Sequence, residues 1–180
     1  MTGWHGPTSH LTRPTGRHDP LSLSGDYEPS PQQFVEDHVR RYEETGDPYS
    51  GPFDGQPCII LTTRGRKSGK LRKTPLVRIE RDGDYAVVAS TGGGPNHPQW
   101  YLNLVADPEV LLQDGPTVMA LRARTATPEE RAGWWPLATA VWPQYDDYGE
   151  RTDRLIPLVL FDPGNPEPST VTASGSDPSH

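Results

Sequence analysis

Short apolar segments separated by Gly-containing turns fill the middle of this chain and constrain its fold more than any other feature. Pro57–Thr63 is a β-branched apolar run, typical of a strand buried on both faces. The Asp-Gly pairs at 82–83 and 114–115 each lie between two such segments, which indicates hairpins. Pro157 interrupts the last apolar run, 155–161, and predicts an edge or bulge position there.

Helical patterns flank these strands. Apolar residues recur at helical spacing over 31–45, and Gly46 follows as a C-terminal stop signal. Thr127-Pro128-Glu129-Glu130 combines an N-cap Thr, Pro at the first helical position and Glu at the third, so a helix is expected from there to about Val141. Shorter helices are predicted over 97–106 and 145–152. Six short strands with few helices between them predict a mainly β fold with appended helices (α+β), built on an antiparallel barrel.

The two ends of the chain differ in composition from its middle. Residues 1–30 and 163–180 are rich in Pro, Gly, Ser or Thr and offer almost nothing to bury, which predicts disordered tails. Residues 31–162 hold all three Phe and four of the five Trp, enough for the core of one domain.

Several protein classes are excluded by what the sequence lacks. No apolar stretch approaches the roughly 20 residues of a membrane-spanning helix, and the start has no secretory signal pattern, so we expect a cytoplasmic protein. The single cysteine, Cys58, excludes an internal disulfide and a cysteine-rich zinc site. The histidines lack partners at metal-ligand spacing, so no metal is expected. P-loop and Gly-x-Ser-x-Gly motifs are also missing.

Positive charge is concentrated in one short segment. The chain carries a net charge of −7, yet residues 64–81 contain eight Lys and Arg and one Glu, a local charge of +7. Within this segment, the glycines of Gly65–Gly69 let backbone amides point inward and Ser68 adds a hydroxyl, as in an anion site. The alternative is a solvated hairpin whose charges protect an edge strand. Nucleic-acid binding is not expected, because the rest of the chain is acidic.

Two further elements suggest a flat ligand. Glycines in Ser90–Gly94 allow a ring to approach the backbone closely. Trp100, Tyr145 and Tyr148 offer apolar faces with polar tips, although Trp100 also fits ordinary packing of a helix on the barrel. The two tyrosines lie three residues apart on a short polar helix with few apolar neighbours, which predicts exposed rings. Together with the basic turn, these residues predict an elongated anionic, aromatic ligand.

Six sequence blocks occur in the order found in one known family. They are LTTRGRKSG (61–69), Arg72 with Pro75-Leu76, Ala89-Ser90-x-Gly92-Gly93, HPQWYLNL (97–104), WPQYDDY (142–148) and RTDRLIP (151–157). Over residues 31–162 the chain resembles the deazaflavin-dependent nitroreductases, actinobacterial reductases with an FMN-binding-like split β-barrel that use coenzyme F420.

The resemblance implies roles for individual residues. Cofactor contacts are implied at Arg66, Lys67, Ser68, Gly69, Arg72, Leu76, Val77, Ser90, Thr91, Trp100 and Asn103. The basic members would hold the phosphate and oligoglutamate tail of the cofactor. Tyr145 and Tyr148 would wall the acceptor pocket as catalytic residues, with Tyr145 the first candidate proton donor. Thr91 stands where the family commonly has Lys, and Trp142 where it usually has Tyr.

The implied activity is hydride transfer from reduced coenzyme F420 to an electron-poor acceptor: a quinone, a nitroaromatic or an activated enone. The alternatives are an FMN-dependent split-barrel reductase and a non-catalytic F420 carrier. The only partner expected is this small-molecule acceptor. Use of lipid quinones would add peripheral contact with the inner face of the cell membrane. The sequence predicts no oligomeric state.

Overall fold

The structure, a computed structural model, describes residues 23–163. One antiparallel sheet contains seven strands in the order β2-β1-β5-β6-β7-β4-β3. The strands are β1 (Cys58–Arg64), β2 (Leu71–Val77), β3 (Ile79–Arg81), β4 (Asp84–Val88), β5 (Glu109–Asp114), β6 (Thr117–Thr125) and β7 (Leu158–Pro163). The helices are α1 (Gln33–Thr45), α2 (Gln99–Ala106), α3 (Pro128–Val141) and α4 (Gln144–Glu150), with a 3-10 turn at Thr91–Gly93. The predicted mainly β class with appended helices is confirmed.

The sheet curls into a barrel because of the connection between β2 and β3. Strands β2 and β3 lie at opposite ends of the sheet, yet only Arg78 separates them in sequence. The two ends must therefore approach each other. The backbone N–H of Arg78 donates to the carbonyl of Pro57 (2.9 Å), outside either strand ladder. The prediction of six strands was wrong at this point, because it treated 74–81 as one strand.

Burial on both faces of the sheet explains the continuous apolar runs. In β1, Ile59 and Leu61 point into the barrel, where they join the central core. The alternate residues Cys58 and Ile60 pack against α1 with Tyr42. In β4 and β7 the residues also alternate between two cores. Val87 and Val159 point into the barrel, whereas Ala86 and Leu160 pack against α3 and α4. The strand predicted at Pro57–Thr63 is confirmed as buried on both faces.

The helix signals in the sequence are confirmed at atomic detail. Gly46 adopts a left-handed conformation (φ 64°) after α1, and its N–H donates to the carbonyl of Tyr42. At the start of α3, the N–H of Glu130 donates to Thr127 Oγ1 (3.3 Å), and the N–H of Thr127 donates to Glu130 Oε2 (2.9 Å). This reciprocal pair is a capping box.

The last strand departs from its prediction. Strand β7 lies inside the sheet, between β6 and β4, and Pro157 precedes it. The missing N–H of Pro157 therefore costs no ladder bond, while its carbonyl accepts a bond from Ala89 (2.9 Å). The edge or bulge position predicted from Pro157 was wrong.

The ends of the domain are only partly described. The predicted tails fall mostly on 1–22 and 164–180, outside the described residues. Residues 26–28 run beside β2: Leu71 N–H donates to Asp26 O (2.7 Å) and Glu28 N–H donates to Leu71 O (2.9 Å). Among the described residues, no helix has the length and apolar character needed to cross a membrane.

Candidate functional site

The β1–β2 hairpin presents the basic turn Gly65–Gly69. Gly65 N–H donates to Lys70 O (2.7 Å), and Gly69, at φ 71°, donates its N–H to Gly65 O (2.8 Å). A Cβ atom on Gly65 would lie 2.8 Å from Ser68 Oγ and 3.2 Å from Lys70 O, so a side chain there would force the Ser68 hydroxyl to move. Ser68 Oγ accepts a bond from Lys70 N–H (3.2 Å), which leaves its own O–H available to donate.

Helix α2 fixes the position of this turn. Asn103, which is 5% exposed, accepts hydrogen bonds at Oδ1 from the backbone N–H of Arg66 (3.1 Å) and from its guanidinium (3.3 Å). Gln99 Oε1 accepts a further bond from the same guanidinium (2.8 Å). Arg66 and Asn103 were both predicted from the sequence as cofactor contacts, but their bond to each other and the contribution of Gln99 were not.

A cleft of about 440 Å³ lies between the basic turn, β2, α2 and the start of α1. This volume is typical of a small-molecule site. Six residues predicted to bind the cofactor line it: Arg66, Lys67, Ser68, Arg72, Trp100 and Asn103. Pro31, Gln32 and Val35 also line it and were missed, because they carry neither charge nor a recognisable motif.

Ion pairs neutralise half of the eight cations in residues 64–81. The pairs are Arg64–Asp107 (3.3 Å), Arg72–Glu28 (3.1 Å), Arg78–Asp114 (2.8 Å) and Lys73–Glu43. The hydrogen-bond partners of the Arg66 guanidinium are the neutral amides of Asn103 and Gln99, so no described carboxylate neutralises it. Lys67 likewise makes no ion pair within residues 23–163. The positive potential of the cleft therefore comes mainly from Arg66 and Lys67. Anion binding by this segment stays a prediction, and it now depends on these two residues.

Three of the other predicted cofactor residues lie away from the cleft lining. Val77 is buried opposite Cys58, on the face of β2 that packs against α1. Leu76 is opposite Ile59 and packs against the barrel core. Gly69 shapes the turn and is exposed.

The Ser90–Gly94 loop packs against α4. A Cβ atom on Gly93 would lie 3.0 Å from Tyr148 O and 3.1 Å from Tyr148 Cα, so this close approach requires glycine. Ser90 Oγ accepts a bond from Gly92 N–H (3.4 Å), and Thr91 Oγ1 donates to Asn96 O (2.9 Å). Ser90 and Thr91 therefore lie with the α4 tyrosines, outside the cleft lining.

Arg154 organises this loop and was missed as a functional residue. Its guanidinium donates to Ser90 O (2.8 Å), Gly94 O (2.9 Å) and Ala89 O (3.2 Å). Its Nη1 also lies 3.1 Å from His97 Nδ1. Since the loop leads directly into α2, Arg154 also anchors the helix that carries Trp100. The sequence placed Arg154 inside a family block but gave no sign of its contacts.

Tyr145 and Tyr148 form an aromatic cluster beyond the loop. Tyr145 is 5% exposed, and its ring centroid lies 6.2 Å from that of Tyr148 and 6.3 Å from that of Trp135. Burial raises the pKa of the Tyr145 hydroxyl well above its usual value. This hydroxyl makes no hydrogen bond to another residue in the described part of the chain. The predicted exposed ring was wrong for Tyr145, because α4 packs on α3 and on the outer face of β4 and β7.

The predicted site therefore forms two groups joined by residues 90–103. One group is the cleft beside the basic turn, and the other is the loop with its tyrosines. Trp100 lines the cleft and, at 7% exposure, packs in the barrel core, so the packing interpretation is confirmed and its contact with a ligand stays a prediction. Trp142 packs edge-on against Phe53, with 5.9 Å between ring centroids.

The chain matches one family over most of its length. The sequence model of the F420H(2)-dependent quinone reductase family matches residues 34–163, from the start of α1 to the end of β7. The chain belongs to this family. Membership of the F420H(2)-dependent quinone reductases confirms the resemblance to deazaflavin-dependent reductases and the expectation of an F420-dependent oxidoreductase. The match includes the cleft lining from α1, the Ser90–Gly94 loop, Arg154 and both tyrosines.

Two proteins of Mycobacterium tuberculosis (strain ATCC 25618 / H37Rv) illustrate the similarity. F420H(2)-dependent quinone reductase Rv1261c is 38% identical over 109 residues, 58% of this chain and 72% of that protein. Rv3178, provisionally named for the same activity, is 36% identical over 107 residues, 59% of this chain and 90% of that protein.

Two solved structures share the fold. The F420-H2 dependent reductase FDR-A is 48% identical, with a TM-score of 0.56, over 59% of this chain and 94% of that one. A structure described as a domain-swapped dimer is 43% identical, with a TM-score of 0.58, over 74% of this chain and 100% of that one.

The cleft of this quinone reductase family member fits a deazaflavin that carries a phosphate and an anionic tail. Arg66 and Lys67 have no carboxylate partner within residues 23–163 and so supply charge, and Ser68 supplies a hydroxyl. Trp100 supplies an aromatic surface on the same wall as the buried amide of Asn103. Among residues 23–163, no cluster of three or more His, Cys, Asp or Glu is arranged to hold a metal ion.

Proposed function

We propose that this protein transfers a hydride from reduced coenzyme F420 to a quinone. The observation that carries the proposal is the cleft in which Arg66 and Lys67, which form no ion pair with another described residue, lie beside Trp100 and Asn103. When bound, the reduced deazaflavin supplies the hydride and disfavours one-electron steps. The chain itself binds the anionic groups, orients the ring and excludes water from it.

Arg66, Lys67 and Ser68 would hold the phosphate end of the cofactor. A guanidinium offers paired N–H donors to phosphate oxygens, and an ammonium adds a point charge. Since Asn103 and Gln99 already fix the Arg66 side chain, little conformational entropy is lost when it binds an anion. Trp100 and Asn103 would line the ring and its polyol chain.

Tyr145 and Tyr148 would handle the acceptor. Negative charge develops on a quinone oxygen as the hydride arrives, and a tyrosine hydroxyl can donate a proton to that oxygen. The raised pKa of Tyr145 keeps this hydroxyl protonated at neutral pH. The apolar rings of Trp135 and Tyr148 around it suit a planar acceptor and exclude water.

A comparison of acceptors tests this proposal. Reduced coenzyme F420 is mixed with the protein and, separately, with a menaquinone analogue, a nitroaromatic and an activated enone, and cofactor oxidation is followed by absorbance. We expect turnover with the quinone and slower turnover with the other two, which share its electron-poor character. Tight F420 binding with no oxidation by any acceptor would instead support the carrier function. Tighter binding of FMN than of F420 would support the FMN alternative.

A lipid quinone as acceptor would bring this protein to the membrane surface. Phe34 on α1 is 62% exposed and lies next to Val35, which lines the cleft. An exposed aromatic ring beside a ligand site suits shallow contact with lipid. We expect Phe34→Ser to lower sedimentation with anionic vesicles while turnover of a water-soluble quinone stays unchanged. Equal sedimentation of both proteins would exclude contact through Phe34.

A further inference from the structure

Two cations of the cleft lining are paired within the protein, Lys73 with Glu43 and Arg72 with Glu28. We use the word strap for residues 26–29, which lie beside the start of β2. Arg72 Nη2 lies 3.1 Å from Glu28 Oε2, and Arg72 Nη1 donates to the carbonyls of Pro29 (3.1 Å) and Glu28 (3.4 Å). The strap thus surrounds the Arg72 guanidinium with oxygen atoms.

The Glu28 carboxylate is an incomplete partner for this guanidinium. Its Oε2 atom is buried, yet no described donor makes a well-directed hydrogen bond to it despite the short distance to Arg72. A buried carboxylate oxygen without such a bond is costly. The side chains of the pair are each about one-third exposed, so solvent can reach the rest of both groups. Another anion can therefore take the place of Glu28, because the released carboxylate regains its hydration.

The position of Arg72 makes this exchange relevant to the ligand. In the strand register Arg72 is opposite Thr63, on the face of β2 that continues toward the barrel interior, and it lines the cleft with Arg66 and Lys67. Arg66 and Lys67 lack internal carboxylate partners within the described residues. The cleft lining therefore offers two available cations, Arg66 and Lys67, and two that are paired, Arg72 with Glu28 and Lys73 with Glu43. Of the two pairs, only Glu28–Arg72 includes a buried carboxylate oxygen without a well-directed hydrogen bond.

We propose that Glu28 is a specificity-determining residue that selects ligands by their number of anionic groups. A ligand with one anionic group binds Arg66 and Lys67 and leaves the Glu28–Arg72 pair intact. A ligand with a further anionic group in reach displaces the Glu28 carboxylate from Arg72. Because the gain at Arg72 is offset by loss of the internal pair, Glu28 lowers the affinity for polyanionic tails. This inference rests on the proposed binding of coenzyme F420. It identifies Arg72 as the residue for which the cofactor tail competes with Glu28.

Glu28→Gln and Asp26→Asn provide the test, since each removes one negative charge from the strap. Asp26 contacts Leu71 through its backbone carbonyl, so Asp26→Asn controls for net charge. Cofactor fluorescence is titrated with each protein at low salt. Glu28→Gln is expected to bind oxidised coenzyme F420 about two- to fivefold more tightly, the range expected for a partly exposed ion pair. Asp26→Asn should match the wild type, and the chromophore without phosphate and tail should bind all three proteins equally. Equal F420 affinity of the two variants, or weaker binding by Glu28→Gln, would overturn the proposal.

Hydrogen exchange gives a second, activity-independent readout. An anion that takes the Arg72 guanidinium also removes its hydrogen bonds to the strap carbonyls of Glu28 and Pro29, so the strap is held less firmly on β2. The N–H groups of Glu28 and Leu71, which are bonded between the strap and β2, should therefore exchange faster when coenzyme F420 or inorganic pyrophosphate is saturating. Unchanged or slower exchange with both ligands would contradict displacement. If the wild type binds pyrophosphate but not coenzyme F420, the proposed function fails and the Glu28 inference is decided by the pyrophosphate affinities of the same variants. If neither ligand binds, both proposals fail.

Discussion

The guanidinium of Arg154 donates a hydrogen bond of 2.8 Å to the carbonyl oxygen of Ser90, across the entrance to the loop that precedes α2. Bonds to Ala89 and Gly94 from the same side chain leave this loop little freedom. A residue between α4 and β7 thereby holds the connection between the tyrosine cluster and the cleft.

Replacing Arg154 by Met should weaken both the fold and cofactor binding. Three buried or half-buried carbonyls would lose a charged donor, for an expected loss of about 2–3 kcal/mol in the free energy of unfolding. Affinity for coenzyme F420 should fall as well, because α2 loses its anchor. Urea unfolding and fluorescence titration measure the two effects. Arg122→Met, which removes an exposed arginine from β6, serves as the control and should leave both quantities nearly unchanged. Equal effects of the two variants would refute the role of Arg154.

Arg66→Ala should reduce the affinity for coenzyme F420 by roughly tenfold or more, since a charge-assisted hydrogen bond contributes about 1.5–3 kcal/mol. Lys67→Ala should have a smaller effect, because a flexible ammonium is more exposed and better hydrated. Lys70→Ala changes the same turn without changing the cleft lining and should bind the cofactor normally. Raising the salt concentration should narrow the difference between the wild type and Arg66→Ala. Full affinity in the Arg66 variant would remove the basis of the proposed function.

Tyr145→Phe should lower kcat with little change in the affinity for coenzyme F420 or in stability. The hydroxyl makes no described hydrogen bond, so its loss leaves no unsatisfied partner behind. Loss of a general acid typically reduces the rate by about 10²–10⁴-fold. Tyr148→Phe, in which the neighbouring ring is kept, is the matched comparison. A larger drop in kcat for Tyr148→Phe would transfer the proton-donor role to Tyr148.

Gly93→Ala should destabilise the protein more than Gly83→Ala. Both glycines have positive φ, 80° and 86°, so both variants carry the strain of about 1–2 kcal/mol that a left-handed residue costs. A Cβ atom on Gly83 meets nothing within 4 Å, whereas on Gly93 it would lie 3.0 Å from the backbone of Tyr148. The difference between the two melting temperatures therefore reports the contact between the loop and α4. Equal melting temperatures would mean that this contact is not tight.

The capping box gives a pH-dependent contribution to stability. Hydrogen bonds from Arg124 and from the backbone of Thr127 lower the pKa of Glu130 to about 2. Because the folded-state pKa lies below the unfolded-state value, the contribution is present at neutral pH and is lost as the pH falls toward 2. The stability difference between the wild type and Glu130→Gln, measured by urea unfolding, should therefore shrink between about pH 6 and pH 3. A stability difference that stays constant over this pH range would contradict the role of the Glu130 carboxylate.

Local patterns predicted most elements of the fold, because their causes are local. Asp-Gly turns, the capping box of Thr127 and the stop at Gly46 each involve residues a few positions apart. The break at Arg78 could not be predicted in this way, since its N–H bonds to Pro57, which is distant in sequence. The same limit explains Tyr145, whose burial depends on packing between α4 and α3.

The candidate site, too, was predictable only where its features are local in the sequence. A dense basic segment was visible in the sequence, but the carboxylates that neutralise half of it come from elsewhere in the chain, as Glu28 and Asp107 do. Counting charges along the sequence therefore overestimated the positive potential of the cleft. The contribution of α1 to the cleft could not be predicted from the sequence, because Val35 has an ordinary apolar side chain and reaches the cleft only through the fold.

The one-residue connection between β2 and β3 affects how the domain unfolds. The strand beside the cleft and the strand beneath α3 are covalently adjacent, so neither end of the sheet can fray without pulling on the other. Melting of the barrel and loss of the ligand cleft should accordingly occur in one cooperative transition.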